Sequence, residues 1–242
     1  MSSAAALVTE IVSVLAFLLN GAMLFLVLSR GRQRYHYLFA AALACFAVGC
    51  LSVFLIFIRS SHTGEFLIYI AMMQATSSWS APCIYHFTCS YLEQPRKKST
   101  VFIWAYTATI TIVTSFGMAL QFGPAKLTHT EAGITFVFQG GIIMRVSHFI
   151  VFFILLVFIW LACWFLFRAR RRETFPLARR HMQYIFISFL VISFLFLTLF
   201  LVPTKFEGTL LASAIRGLVI PAFGALIGIA IIKERLFDIT VI

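Results

Sequence analysis

Apolar residues gather along the chain into seven runs, about 5–28, 36–58, 66–91, 101–121, 146–167, 182–202 and 209–232. Short polar segments separate them. Each run reaches the ~20 residues that a helix needs to cross a bilayer. The pattern predicts an all-α membrane protein, a single seven-transmembrane helix bundle over residues 1–242. The first run is too long for a signal-peptide core and has no basic segment before it, so it reads as a permanent helix. The longest connection is 122–145. There Ile134-Thr-Phe-Val-Phe138 is β-branched and aromatic, Gln139-Gly-Gly141 follows, and then Ile142-Ile-Met144. Gly-Gly between two such runs predicts a β-hairpin over the outer mouth of the bundle. The alternative is an amphipathic loop lying on the headgroups.

Composition agrees with the pattern. The chain is 62% hydrophobic and 11% charged, less than half the usual ~25% charged share, and its mean hydropathy is +1.00. Lysine and arginine set the orientation. Arg30, Arg32, Arg34, Arg96, Lys97, Lys98, Arg168, Arg170, Arg171, Arg172, Arg179, Arg180, Lys233 and Arg235 all fall on one side. Arg59, Lys126, Arg145, Lys205 and Arg216 are the remainder. The amino terminus is therefore expected outside and the carboxyl terminus in the cytoplasm. Basic juxtamembrane segments facing anionic lipid account for the pI near 9.9, and no nucleic-acid partner is needed.

Ionisable and polar groups at membrane depth are costly unless paired or wet, which makes them candidates for function. Glu10 lies near the outer end of the first helix. Arg216 lies seven residues into the seventh, about 10 Å down at 1.5 Å per residue. First and seventh helices are neighbours in a closed bundle, so Glu10 and Arg216 are placed to pair. Arg145 and His148 open the fifth helix from the same side, and Gln74, Ser77, Ser78 and Trp79 occupy the outer half of the third. Glu10, Gln74, Ser78, Trp79, Arg145, His148 and Arg216 thus form a candidate site for a small-molecule or lipid ligand. The competing view is a helix-to-helix tie between Glu10 and Arg216, with the serines bonded to their own helix.

Other features look architectural. Glu10, Ser13, Phe17 and Asn20 mark a partly polar buried stripe on the first helix. Gly224 and Gly228 form a small-xxx-small pair, for packing inside the bundle or for a homodimer seam. Pro82 and Pro221 each remove a backbone bond and favour a kink. All five cysteines (Cys45, Cys50, Cys83, Cys89 and Cys163) lie inside predicted helices without metal-type spacing. They read as packing residues, and no cofactor is implied.

Three segments carry a family resemblance. Pro82-Cys-Ile-Tyr-His-Phe87, with Tyr91-Leu-Glu-Gln-Pro-Arg-Lys-Lys98 after it, resembles the third-helix exit of the seven-transmembrane N-terminal input region of bacterial sensor histidine kinases. Ala178-Arg-Arg-His-Met-Gln-Tyr184 resembles the sixth-helix entry of that region. Ala225-Leu-Ile-Gly-Ile-Ala-Ile-Ile-Lys-Glu-Arg-Leu-Phe-Asp-Ile239 is similar to its seventh-helix exit. The resemblance implies a two-component sensor in the bacterial inner membrane that signals through its seventh helix to a cytoplasmic effector. In that frame His86 is structural and bonds a neighbouring helix. No phosphoacceptor segment or ATP-binding glycine box follows Ile242. The chain is then expected to be either part of a longer sensor or a module with separate partners.

Rival functions meet specific objections. A retinal receptor needs a lysine midway along the last helix, whereas Lys233 lies at its end. A haem subunit needs paired histidines at one depth, and His36 and His181 lie at the basic interface. An enzyme needs a catalytic constellation, which eight acidic residues, mostly outside the spans, do not supply. A transporter usually shows repeated halves. The strongest rival is a non-catalytic accessory subunit whose apolar faces are covered by partner membrane subunits. Arg216→Ala is expected to abolish a ligand response while the protein still folds. An unchanged response, with folding checked by circular dichroism, removes Arg216 from the site.

Overall fold

The computed structural model describes residues 4–30, 33–59, 63–94, 96–121, 126–130, 133–137 and 142–201. These form helices α1 (Ala4–Arg30), α2 (Arg34–Arg59), α3 (Thr63–Tyr91) and α4 (Lys97–Gln121), strands β1 (Lys126–Thr130) and β2 (Gly133–Val137), and helices α5 (Ile142–Arg172) and α6 (Pro176–Leu201). The seventh apolar run, 209–232, and the exit segment 233–242 lie outside the described residues. Among the described residues, two stretches are long and apolar enough to cross a membrane. They are Glu10–Ser29 at mean hydropathy 2.6 and Arg34–Ile56 at 2.5.

Each of the first six apolar runs becomes a helix, and most of the helices outgrow their runs. Helix α5 has 31 residues, about 46 Å at 1.5 Å per residue, against a hydrocarbon thickness of ~30 Å. The added turns hold residues that hydropathy alone assigns to loops: Arg34, Lys97, Lys98, Arg168, Arg170, Arg171, Arg172, Arg179 and Arg180. Lysine and arginine favour helix, and their apolar stems lie along the surface while their heads reach water. Arg170, Arg171 and Arg172 also stand in the last turn of α5, where the helix dipole favours cations.

Local chemistry explains the helix ends. At the start of α2 the backbone N–H of Gln33 donates to Nδ1 of His36 at 3.0 Å. The imidazole reaches back as a glutamate does in a capping box. Helix α6 opens on Pro176, whose missing N–H is one of the groups left unpaired in a first turn anyway. Just before it, the Glu173 carboxylate accepts from the Phe175 N–H at 3.1 Å.

The hairpin differs from the expected one. β2 contains Ile134-Thr-Phe-Val137, but its antiparallel partner is the upstream strand β1, with Lys126 opposite Val137 and Thr130 opposite Gly133. Residues 142–144 are not its second strand; they begin α5. The helix that holds the apolar run 146–167 begins already at Ile142, and forming it satisfies more backbone groups than a three-residue strand. Thr128 and Thr130 supply the β-branched character on the other side. β2 comes against α1.

Helix α1 packs on α2, α2 on α3, α3 on α4 and α5, and α5 on α6. Helix α3 is the hub. Its residues Ala81, Cys83, Ile84, Tyr85, Phe87 and Cys89 belong to the buried core, together with Leu43 of α2, Ile103 of α4, Ile159 of α5 and Phe189 of α6. Phe87 is 1% exposed. Its ring meets Phe39 at a centroid distance of 5.2 Å, Tyr91 at 5.7 Å, Phe189 at 6.1 Å and Tyr35 at 6.4 Å. Close approach of α2 and α3 depends on Gly49, where a Cβ would stand 3.2 Å from the Thr76 hydroxyl. On α1 the inward stripe is Ser13, Ala16, Asn20, Met23 and Val27, with Phe17 half-buried beside it. Leu15, Leu18, Phe25 and Leu28 face outward.

Phe87→Ala is expected to cost about 3–5 kcal/mol, the range for emptying a buried aromatic site. Phe25, 75% exposed, is expected to tolerate alanine within about 0.5 kcal/mol. Thermal unfolding of both variants in one detergent checks the contrast; equal losses would mean that the core is not centred on α3.

Candidate functional site

The predicted ligand set is distributed over three described helices. Glu10 is half-buried on α1. On α3, Ser78 is buried and Trp79 half-buried. The side chains of Gln74, Arg145 and His148 lie outside the described residues, as does all of Arg216, so the Glu10–Arg216 pairing does too. Among the described residues, Ser78 and Trp79 come together only as neighbours on α3.

Trp79 turns toward α4. Its ring lies 5.6 Å from that of Trp104, and Trp104 Nε1 donates to His86 Nδ1 at 3.3 Å. Trp79, Trp104 and His86 therefore link α3 to α4 across one helix interface. His86 thus bonds a neighbouring helix, α4. The hydroxyls around Trp79 bond within their own helix: Thr76 to the Met72 carbonyl at 2.8 Å, Ser77 to Met73 at 2.7 Å and Ser80 to Ser77 at 2.7 Å. Pro82, buried inside the continuous helix, has no N–H for the Ser78 carbonyl one turn earlier. The backbone of α3 is thus weakest beside the candidate residues.

The opposite end of α3 is tightly built. Tyr85 and Ser99 share a hydroxyl–hydroxyl bond of 2.8 Å that joins α3 to α4. The helix then closes in a Schellman motif: the Gln94 N–H donates to the Cys89 carbonyl at 2.9 Å and the Glu93 N–H to the Ser90 carbonyl at 3.2 Å. Glu93 holds the left-handed position at φ 52°, a place glycine usually takes. Pro95, two residues on, is the signal in the sequence for such a stop.

Beyond that turn lies a cavity of about 210 Å³ lined by Gln94, Arg96, Phe165, Arg168, Ala169 and Arg172. The Arg96 guanidinium sits over the Phe165 ring, 4.1 Å from its centroid. Three arginines border the space and none of its lining residues is acidic. Arg171 points elsewhere, over the Phe167 ring at 4.4 Å. In the sequence these arginines mark orientation and basic segments facing anionic lipid, with no convergence on one space. What the sequence lacks is the tertiary approach of the α3–α4 turn to the end of α5.

Among the described residues, no group of three or more histidines, cysteines or acids is placed to hold a metal ion. The five cysteines are free thiols, and those of Cys45 and Cys83 hydrogen-bond across α2 and α3. The chain matches no family model, and no curated protein matches it.

Glu93→Gly is expected to raise thermal stability by up to about 1 kcal/mol, because glycine takes a positive φ without the Cβ penalty. Glu93→Val is expected to lower it. A glycine variant that melts earlier would show that the carboxylate contributes more than the turn conformation costs.

Proposed function

We propose that the chain is a membrane sensor. In this reading it is a bundle of seven spans in the bacterial inner membrane, with its amino terminus outside and its carboxyl terminus in the cytoplasm. A small ligand or lipid binds in the outer half, and the change passes along the third, sixth and seventh helices to a cytoplasmic effector such as a histidine kinase. The two strongly apolar stretches of α1 and α2 support the membrane part, as do the large apolar side chains on the bundle exterior, such as Leu15, Phe25 and Trp164. In a membrane these face lipid at no cost, whereas in water they would form an adhesive surface.

The observation that carries the sensor reading is the two-part build of α3. One half holds Ser77, Ser78 and Trp79 beside the bond removed by Pro82. The other half is locked into the core by Tyr85, Phe87 and the Schellman close. Because α3 touches α2, α4 and α5, with Phe87 against Phe189 of α6, a change at its first half has neighbours to act on. A ligand shifts such a bundle only by its difference in affinity between two states.

A second reading, a non-catalytic accessory subunit, is favoured by the Trp79–Trp104 contact and the self-bonded hydroxyls. They fill the interface between α3 and α4 and leave fewer donors for a ligand.

Gentle-detergent purification from the native membrane, with intact mass and identification of co-purifying proteins, separates the two. A parent mass above 27.3 kDa, or a co-purifying kinase, is expected for the sensor. A mass at that value with stoichiometric membrane partners and no signalling enzyme would overturn it in favour of the subunit.

A further inference from the structure

The arginine-lined cavity needs a chemical explanation, because nothing else in its wall neutralises it. Arg96, Arg168 and Arg172 converge on about 210 Å³ with only Gln94, Phe165 and Ala169 between them. Like charges gathered around one space repel one another. An anion in the space turns that repulsion into attraction. The guanidinium fork favours one kind of anion, since its parallel N–H groups match the oxygens of a carboxylate or phosphate. Arg96 is held for the purpose by its seat on the Phe165 ring. The size also selects, since sites for drug-sized ligands begin near ~300 Å³ and this one suits a headgroup-sized anion.

The outer face of α5 points to the source of that anion. Phe153, Trp160 and Trp164 are 49%, 45% and 57% exposed. They are spaced seven and four residues apart, and Arg168, which borders the cavity, follows Trp164 at a further step of four. Such spacing keeps residues on one helix face. An exposed aromatic stripe therefore runs along α5 and ends at the basic cavity. Trp beside Arg at the end of an apolar helix is the pattern of a membrane interface.

We infer that this cavity binds a phosphate-bearing anion, the headgroup of an anionic phospholipid whose acyl chains lie along the Phe153–Trp160–Trp164 stripe. The site rests on the membrane reading above and is independent of the sensor reading.

The test uses the full chain recovered from membranes in mild detergent, titrated with phosphatidylglycerol or with phosphatidylcholine of the same acyl chains, with bound lipid counted by native mass spectrometry. A parallel arm offers inorganic phosphate. Preference for phosphatidylglycerol is expected, with Arg168→Gln and Arg172→Gln each weakening it at least about tenfold. Arg171→Gln, with the same change of charge next to the site, is expected to weaken it no more than about fivefold, the effect of one basic residue near an anionic surface. Competition by inorganic phosphate, lost in the same two variants, supports the site with a soluble phosphate as its source. No headgroup preference, or equal weakening by all three variants, overturns it. Membrane-derived protein that fails the titration counts against the site alone. A chain found only in the soluble fraction counts against the membrane reading, and the phosphate arm then decides the site.

Discussion

A buried helix surrounded by other helices has to satisfy its polar groups from within, and α3 is built around that constraint. Its neighbours in the core offer leucine, isoleucine and phenylalanine, so its hydroxyls turn back to carbonyls three or four residues earlier. Thr76, Ser77, Ser80 and Thr88 all do so. Ser52 of α2 and Ser188 and Ser193 of α6 follow the same rule. Each self-bond removes the ~1–3 kcal/mol cost of a buried unsatisfied group. Small polar residues can then stand where the helices approach closely, as at Gly49 and Thr76.

The exceptions are the polar contacts that cross between helices. Trp104 to His86 and Tyr85 to Ser99 both join α3 to α4. The interface of α3 with α5 and α6 is aromatic: Tyr85 packs edge-on against Phe158 at 5.1 Å, and Phe87 meets Phe189. The α4 flank of α3 is thus fixed by directional bonds, the flank toward α5 and α6 by packed rings. Directional bonds break over short displacements, whereas packed rings exchange partners more gradually.

Much of this architecture was legible in the residues. Apolar runs are a strong signal when they exceed twenty residues, and six of the seven coincide with described helices. Their ends were less legible, because hydropathy marks where a helix leaves an apolar medium and not where its backbone bonds stop; α5 carries five residues beyond its run, four of them arginine. The hairpin shows another limit. The strand at 134–137 was visible from its own side chains, but its partner was not, since strand pairing depends on which flanking segment is free. For Ile142 onward, helix formation had already claimed the residues. The candidate ligand residues were chosen for their polarity at depth. That criterion found Ser78 and Trp79 on the hub helix but could not foresee that Trp79 turns to Trp104. The arginine cavity escaped because charge counting along a chain does not see convergence in space.

The left-handed Glu93 has a mechanical meaning as well. By closing α3 at once, it leaves only a short stretch of chain before α4 begins at Lys97. A long loop absorbs the travel of the helix before it; a short one absorbs less. α3 and α4, already tied by the Tyr85–Ser99 and His86–Trp104 bonds, are therefore geared together, so an axial slip of one pulls on the start of the other at Arg96 and Lys97.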